Sequence, residues 1–231
     1  MADSPIAVEH HNPALKHHFA DMEQQREASS LGMWLFLATE IMFFGGMFCA
    51  YLIYRLWYFP DFAAASNSLD ITLGTVNTAV LICSSLTVVM AVRAAQLGKR
   101  QQQVIYLALT LVLGLAFLGV KAVEWTSKFK EHHIPGPTFN FQGSIPSHPE
   151  QPVDQHHAQI FFSLYFAMTG MHALHMIIGV GIFSYLLYHA WKGAYTPEYY
   201  TPLENSGLYW HFVDIVWIYL FPLLYLIDRK K

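Results

Sequence analysis

Five long segments of this chain carry almost no charge: Leu31–Tyr58, Ile71–Val92, Val104–Val123, Ile160–Tyr188 and Gly207–Ile227. Each reaches the ~20 apolar residues that a helix needs to cross a bilayer core of roughly 30 Å. In lipid no water satisfies backbone amides, so only helices and closed barrels can span. The runs are continuous and lack the period-two alternation of a membrane barrel. The expectation is an all-α integral membrane protein, a bundle of five transmembrane helices. The first and fourth segments exceed the requirement and are expected to tilt or protrude. Composition agrees: 13% of residues are charged, about half the share in an ordinary soluble domain. Two cysteines exclude a disulfide framework. The net charge of −3 argues against nucleic acid as a partner.

Residues 1–30 are polar, with Pro5 and Pro13 and several histidines. No apolar stretch lies close behind Met1, so no secretory signal peptide is expected. Ala14–Glu27 is compatible with a short surface helix. The predicted organisation is this polar tail followed by a membrane domain over 31–231. Trp34, Trp57, Trp125, Trp191 and Trp210 fall at segment boundaries, where amphipathic rings meet headgroups; Trp217 falls inside a span. The longest connection, Thr126–His157, holds Pro135, Pro137, Pro146, Pro149 and Pro152 of the chain's 11 prolines and reads as an irregular loop. Its histidines, and those of the tail (His10, His11, His17, His18, His132, His133, His148, His156, His157), read as solvated loop residues. Five spans place the termini on opposite sides. Lysines and arginines divide equally between the two sides, so the positive-inside rule gives no orientation.

Ionisable groups at membrane depth are costly and usually functional. Glu40 lies about 14 Å along the first helix from Leu31, so it is expected to be protonated or hydrogen-bonded. Lys121 and Glu124, three residues apart and on one helix face, read as an interfacial ion pair. His211 and Asp214 repeat that spacing on the fifth span, and His172 and His175 on the fourth. Haem ligation by the fourth span needs an opposed histidine on another helix, and only His211 lies within another span. Hydrogen bonding between helices is the simpler reading. Cys49 and Cys83 read as small packing residues. Gly45, Gly46, Gly114, Gly119, Gly170 and Gly179 read as points of close helix approach, and Asn77, Ser84 and Ser85 as interhelical hydrogen-bond donors. Pro222 is expected to kink the fifth helix.

These residues resemble a family. Gly32-Met-Trp-Leu-Phe-Leu-Ala-Thr-Glu-Ile-Met-Phe-Phe44 is similar to the glutamate-bearing helix of subunit III of the haem-copper oxidases. Asn77-Thr78 with Leu81 and Ser84-Ser85 resembles its next helix, and Gly119–Trp125, with Lys121 and Glu124, the third. Gly170-Met-His-Ala-Leu-His-Met-Ile-Ile-Gly179 follows the pattern Gly-Phe-His-Gly-Leu-His-Val-Ile-Ile-Gly. Tyr209-Trp-His-Phe-Val-Asp-Ile-Val-Trp217 resembles the C-terminal signature. The motifs fall in order and cover about 31 to 225.

The resemblance implies a non-catalytic subunit of a respiratory terminal oxidase, in the cytochrome c oxidase class. Such a subunit packs directly on subunit I, in a complex with subunit II and other chains of aerobic electron transport. It supports proton uptake and active-site stability and holds phospholipid. It binds no cofactor or metal itself; haem and copper lie in partner subunits. Glu40, His172, His175, His211 and Asp214 then form a buried polar network supporting proton uptake. The setting implied is a bacterial cytoplasmic (inner) membrane, with a cytoplasmic N-terminus and a periplasmic C-terminus. The seven-helix members carry two further N-terminal helices, which this chain lacks, as do the five-helix bacterial forms. The alternatives are a subunit-III-like protein of a nitric oxide reductase or a quinol oxidase. A transporter or channel would show internal symmetry or broken helices, and neither is present in the sequence.

Overall fold

The structure, a computed structural model, describes residues 15–137, 139–145 and 148–228. His10, His11 and the terminal Arg229, Lys230 and Lys231 lie outside them. Its elements in order are α1 (Met22–Trp57), α2 (Phe59–Asn67), α3 (Ile71–Gln96), α4 (Arg100–Lys130), β1 (Ser144–Ile145), β2 (His148–Pro152), α5 (Gln155–Trp191) and α6 (Thr201–Tyr225). Five of the helices, α1, α3, α4, α5 and α6, are long and apolar enough to cross a membrane. The protein is an all-α five-helix membrane bundle.

α3, α4, α5 and α6 form the centre. α3 packs on α4 and α6, and α5 packs on α4 and α6. α1 lies outside this ring against α5 and α6. It buries only Leu37, Phe44 and Tyr51, a repeat of seven that makes a narrow seam. Trp34, Ile41, Met42, Leu52 and Leu56 on its other faces remain exposed. α6 buries the widest surface, with Trp210 and Trp217 at its centre. Glycines make room for the first of these rings. A Cβ on Gly114 of α4 would stand 2.8 Å from the Trp210 ring, and one on Gly179 of α5 2.9 Å. At Gly45, Gly46 and Gly119, by contrast, an added Cβ meets nothing within 4 Å. The close approach expected at those three positions is not made within this chain.

Several boundaries differ from those expected, for local reasons. The expected separate surface helix does not form. Residues 15–21 make turns and bends, and Met22–Glu27 is the start of α1. Asp21 caps it, its carboxylate accepting from Gln24 N at 2.7 Å. α6 begins at Thr201, with Pro202 in its first turn. That places Trp210 deep inside the bundle, fully buried, rather than at a membrane boundary. The helix α2 was not expected. Pro60 suits its first turn, and its small face, Ala63–Ser66, is buried. Within the proline-rich connection, β1 and β2 form a small antiparallel hairpin. Cys49 and Cys83 are exposed and do not pack in the core.

The C-terminal carbonyls of α6, which lack partners within the helix, are capped from elsewhere. Tyr51 OH of α1 donates to Leu223 O at 2.8 Å. Ser66 Oγ of α2 donates to Leu224 O at 2.7 Å. Both caps cross more than 150 residues of chain, so they close α1 and α2 onto the last helix.

Candidate functional site

Two polar clusters sit between the spans. The first joins α1 to α5. His175 is held from two sides: its Nδ1 lies 2.8 Å from Met171 O, and Tyr209 OH donates to His175 O at 2.9 Å. A carbonyl only accepts, so Nδ1 carries a hydrogen. Nε2 then faces Glu40 Oε2 at 3.1 Å. A hydrogen bond across that gap needs one proton, placed either on Glu40 or on the imidazole. A carboxylic acid beside neutral imidazole and a carboxylate beside imidazolium have the same net charge, zero. That common neutrality is what lets the pair sit at membrane depth, where an isolated charge is costly. The side chains are 9% (His175) and 19% (Glu40) exposed, and the Phe44 ring packs on the imidazole.

The second cluster lies towards the C-terminal ends of α4 and α6. Lys121 Nζ donates to Glu124 Oε2 at 2.9 Å and to Tyr225 OH at 2.6 Å. Tyr165 OH donates to Glu124 Oε1 at 2.9 Å, and Tyr225 OH donates to the same oxygen. The Lys121 ammonium also lies 4.8 Å from the Trp217 ring centre, a cation–π contact. The pair expected at the membrane interface is therefore formed, but enclosed by protein, with 3% of each side chain exposed.

The remaining expected residues are placed differently. His211 Nδ1 lies 2.7 Å from Ser85 Oγ of α3. Asp214, one turn on, is buried, with Ser85 as the hydrogen-bonding group beside its carboxyl. Both belong to the α3 side of α6, by Ser85, and among the described residues Glu40 is hydrogen-bonded to His175 rather than to either of them. His172 is fully buried between the rings of Phe117 and Trp217, with neither ring nitrogen hydrogen-bonded among the described residues. Of the three candidate neighbours of Glu40, only His175 reaches it. Ser84 accepts from Trp210 Nε1 at 2.9 Å, and the buried Asn77 amide has no hydrogen-bond partner among the described residues. Among the described residues no group of three or more His, Cys, Asp and Glu gathers.

Beyond the spans, Lys128 Nζ donates to Ser68 O at 2.9 Å and to Glu131 Oε2 at 2.6 Å. Burial opposes ionisation of Glu131, but the Lys128 hydrogen bond and charge outweigh it and hold the carboxyl below its usual range. Burial, reinforced by Lys128, pushes His133 below the usual imidazole range, while Glu131 pulls the other way. Across the same end, His157 Nδ1 lies 2.7 Å from Asp61 Oδ2 and its ring stacks on Tyr58 at 3.7 Å. The sequence reading missed Tyr165, Tyr209, Tyr225 and the His157–Asp61 contact. A tyrosine in an apolar span is itself a signal, since its buried hydroxyl needs a partner.

Five spans with neutralised polar pairs between them define an integral membrane subunit built around internal hydrogen bonds. The family described as "Cytochrome c oxidase subunit III" matches residues 16–133 and 155–228. The chain is 31% identical to cytochrome c oxidase subunit 3 of Gallus gallus over 202 residues, covering 84% of this chain and 67% of that one. It is 30% identical to cytochrome c oxidase subunit 3 of Alkalihalophilus pseudofirmus, covering 85% of each. It is 29% identical to cytochrome bo(3) ubiquinol oxidase subunit 3 of Pseudomonas aeruginosa, covering 84% and 83%. The chain belongs to the cytochrome c oxidase subunit III family. It is thereby a subunit III of a haem-copper oxidase and a membrane component of an oxidoreductase complex.

Proposed function

We propose that this chain is the non-catalytic subunit III of a respiratory, proton-pumping oxidase. It packs on subunit I, beside subunit II, and holds phospholipid. It serves aerobic electron transport from a bacterial inner membrane, with its N-terminus cytoplasmic. Haem and copper belong to the partner subunits. The observation that carries the reading is the Glu40–His175 pair, which shares one proton between two helices at no cost in net charge. Such a pair stiffens α1 against α5 and can buffer a proton beside a partner that consumes protons. His172, His211 and Asp214 supply the further polar character of the same half of the bundle. Oxygen uptake by the whole complex over many turnovers, with Glu40 altered, tests this reading.

One relative favours a second reading. The Pseudomonas aeruginosa protein carries a ubiquinol oxidase name and is matched over 83% of its length. Assaying the purified complex with reduced cytochrome c and with a quinol decides between the two donors. Oxidation of quinol alone would make this the subunit III of a quinol oxidase.

A further inference from the structure

Where α4 begins and α5 finishes, a groove of about 740 Å³ lies between the two helices. Arg100, Gln101, Val104 and Ile105 of α4 line it, with Trp191 of α5, and no acidic residue is among them. The Arg100 guanidinium is anchored there. Its Nη2 donates to Trp191 O, the last carbonyl of α5. Its Nη1 lies over Gly193, where an added Cβ would stand 3.4 Å away. A guanidinium carries five N–H donors, so one bond to a carbonyl leaves others available on this exposed side chain. Lys99, just before Arg100, and Lys192, just after Trp191, are exposed as well. Lys192 Nζ rests 4.3 Å from the Tyr188 ring centre, on the α5 surface. At the same end of the bundle, Glu204 is turned towards Arg26 at 3.6 Å.

From Gln101 inward this face turns apolar. Ile105, Leu109 and Val112 are exposed. Spaced by four and three residues, they form one stripe along α4. The stripe ends about 18 Å along the helix from Arg100, a little more than half of a roughly 30 Å hydrocarbon core. Trp191, on the opposite wall, is exposed, and an indole prefers headgroup level. Cation, indole and hydrocarbon surface therefore follow one another from the end of the bundle inward, over the depth of one leaflet. A phospholipid carries phosphate and acyl chain in that order by its constitution. A helix of another chain would need an acidic side chain in its terminal turn to meet Arg100 while its apolar side chains met the stripe.

We propose that the α4–α5 groove binds a phospholipid whose headgroup carries a net negative charge. Its phosphate sits on Arg100, and one acyl chain lies along Ile105, Leu109 and Val112. The forked guanidinium donors match phosphate oxygens in geometry as well as charge. Lys99, Arg100 and Lys192, in a groove with no acidic lining, favour an anionic headgroup over a zwitterionic one. The proposal rests on the reading of this chain as an oxidase subunit that holds phospholipid, and adds the place and the headgroup charge.

The test uses the whole complex, purified in mild detergent and placed in phosphatidylcholine vesicles. A trace of phosphatidylglycerol or of phosphatidylcholine, each with a diazirine on an acyl chain, is added, and adducts are mapped by peptide mass spectrometry. Labelling of residues 105–112 by the phosphatidylglycerol probe is expected to exceed that by the phosphatidylcholine probe about fivefold, the factor one basic residue carries at a lipid surface. In Arg100→Gln the excess is expected to fall by about the same factor. Lys99→Gln with Lys192→Gln keeps the Arg100 bond to α5 and is expected to lower the excess too, which separates loss of charge from loss of that bond. Excess inorganic phosphate is expected to leave the labelling unchanged; displacement of the probe would make this a site for free phosphate and overturn the lipid. Equal labelling by the two probes, or an excess that survives Arg100→Gln, overturns the proposal. So does a stripe that neither probe labels in the complex, which would mean that another protein chain covers it. Adducts on other faces of the chain would then leave its lipid-holding role standing. Failure of the chain to co-purify with any oxidase chain overturns the oxidase reading instead.

Discussion

Glu40 and Lys121 show two ways of keeping an ionisable residue inside a membrane. Lys121 is neutralised by a full ion pair whose remaining valences are filled by Tyr165 and Tyr225. Removing one partner of such a pair strands a buried charge, at about 3–5 kcal/mol. Lys121→Met is therefore expected to lower the thermal stability of the chain strongly, and Lys121→Met with Glu124→Gln to recover much of the loss. A double variant as unstable as the single one would show that the two charges do not depend on each other. Glu40 is neutralised instead by sharing a proton. Glu40→Gln keeps a donor for His175 Nε2, whereas Glu40→Ala leaves that nitrogen unpaired at about 1–3 kcal/mol. Neither change is expected to abolish oxygen reduction. Glu40→Ala is expected to loosen the subunit or shorten the working lifetime of the enzyme, and Glu40→Gln less so, measured by oxygen uptake at pH 6.5 and 8 with subunit content. Immediate loss of oxygen reduction in Glu40→Gln with the complex intact would make Glu40 an obligatory proton carrier. At this scale the spacing of Lys121 and Glu124 was legible, because three residues on a helix define a face. The link from Glu40 to His175 was not, because it depends on how two distant helices are rotated about their own axes.

Among the elements, the five spanning helices were legible; their ends and the short α2 were not. Twenty apolar residues mark a span, but nothing apolar announces that α1 starts at Met22 or α6 at Thr201. Their starts rest on the Asp21 cap and on Pro202, local signals that hydropathy does not weigh. The same limit misplaced Trp210, which became a boundary residue only because its helix was begun too late. Its true setting makes a prediction. A side chain at Gly179 would have to displace the Trp210 ring, and overpacking typically costs about 1–3 kcal/mol. Gly179→Val is thus expected to destabilise the bundle by that order in thermal unfolding, and an unchanged melting point would mean that α5 and α6 do not meet as closely as described. The loop between α4 and α5 adds a pH dependence. His133 is held below its unfolded pKa, so the unfolded loop binds the proton more readily than the folded one. The contribution to loop stability is complete above about pH 6.5, the ordinary imidazole value, and is lost as pH falls below it. His133→Phe, which keeps the stacking on Phe162, is expected to flatten that acid loss. Amide exchange over residues 131–145, compared between the two proteins at pH 5.5 and 7.5, reads it directly.

For the whole molecule, the asymmetry of burial decides where partners can bind. In lipid there is little hydrophobic drive between helices, so contacts between subunits depend on small residues, packing and hydrogen bonds. α1 uses only its Leu37, Phe44 and Tyr51 seam on its own bundle. At its two adjacent glycines, Gly45 and Gly46, an added Cβ would meet nothing within 4 Å, so no close helix approach inside the chain requires them. A partner helix approaching there would come close to the α1 backbone, as small residues allow. Gly46→Leu places its first side-chain carbon in open space. The fold is expected to be unaffected, with an unchanged melting point for the chain itself, while retention on the oxidase complex falls. Gly179→Val provides the opposite pattern, since its clash is internal. Deleting residues 2–12 removes polar chain that precedes Asp21 and the start of α1, and is expected to leave retention near that of the intact protein. The measurement is the amount of this chain per complex after washing in mild detergent, for the three variants side by side. Loss of the complex on tail deletion equal to that in Gly46→Leu would move the main contact from the membrane to the polar tail, and the assembly logic drawn from the exposed glycines would have to be abandoned.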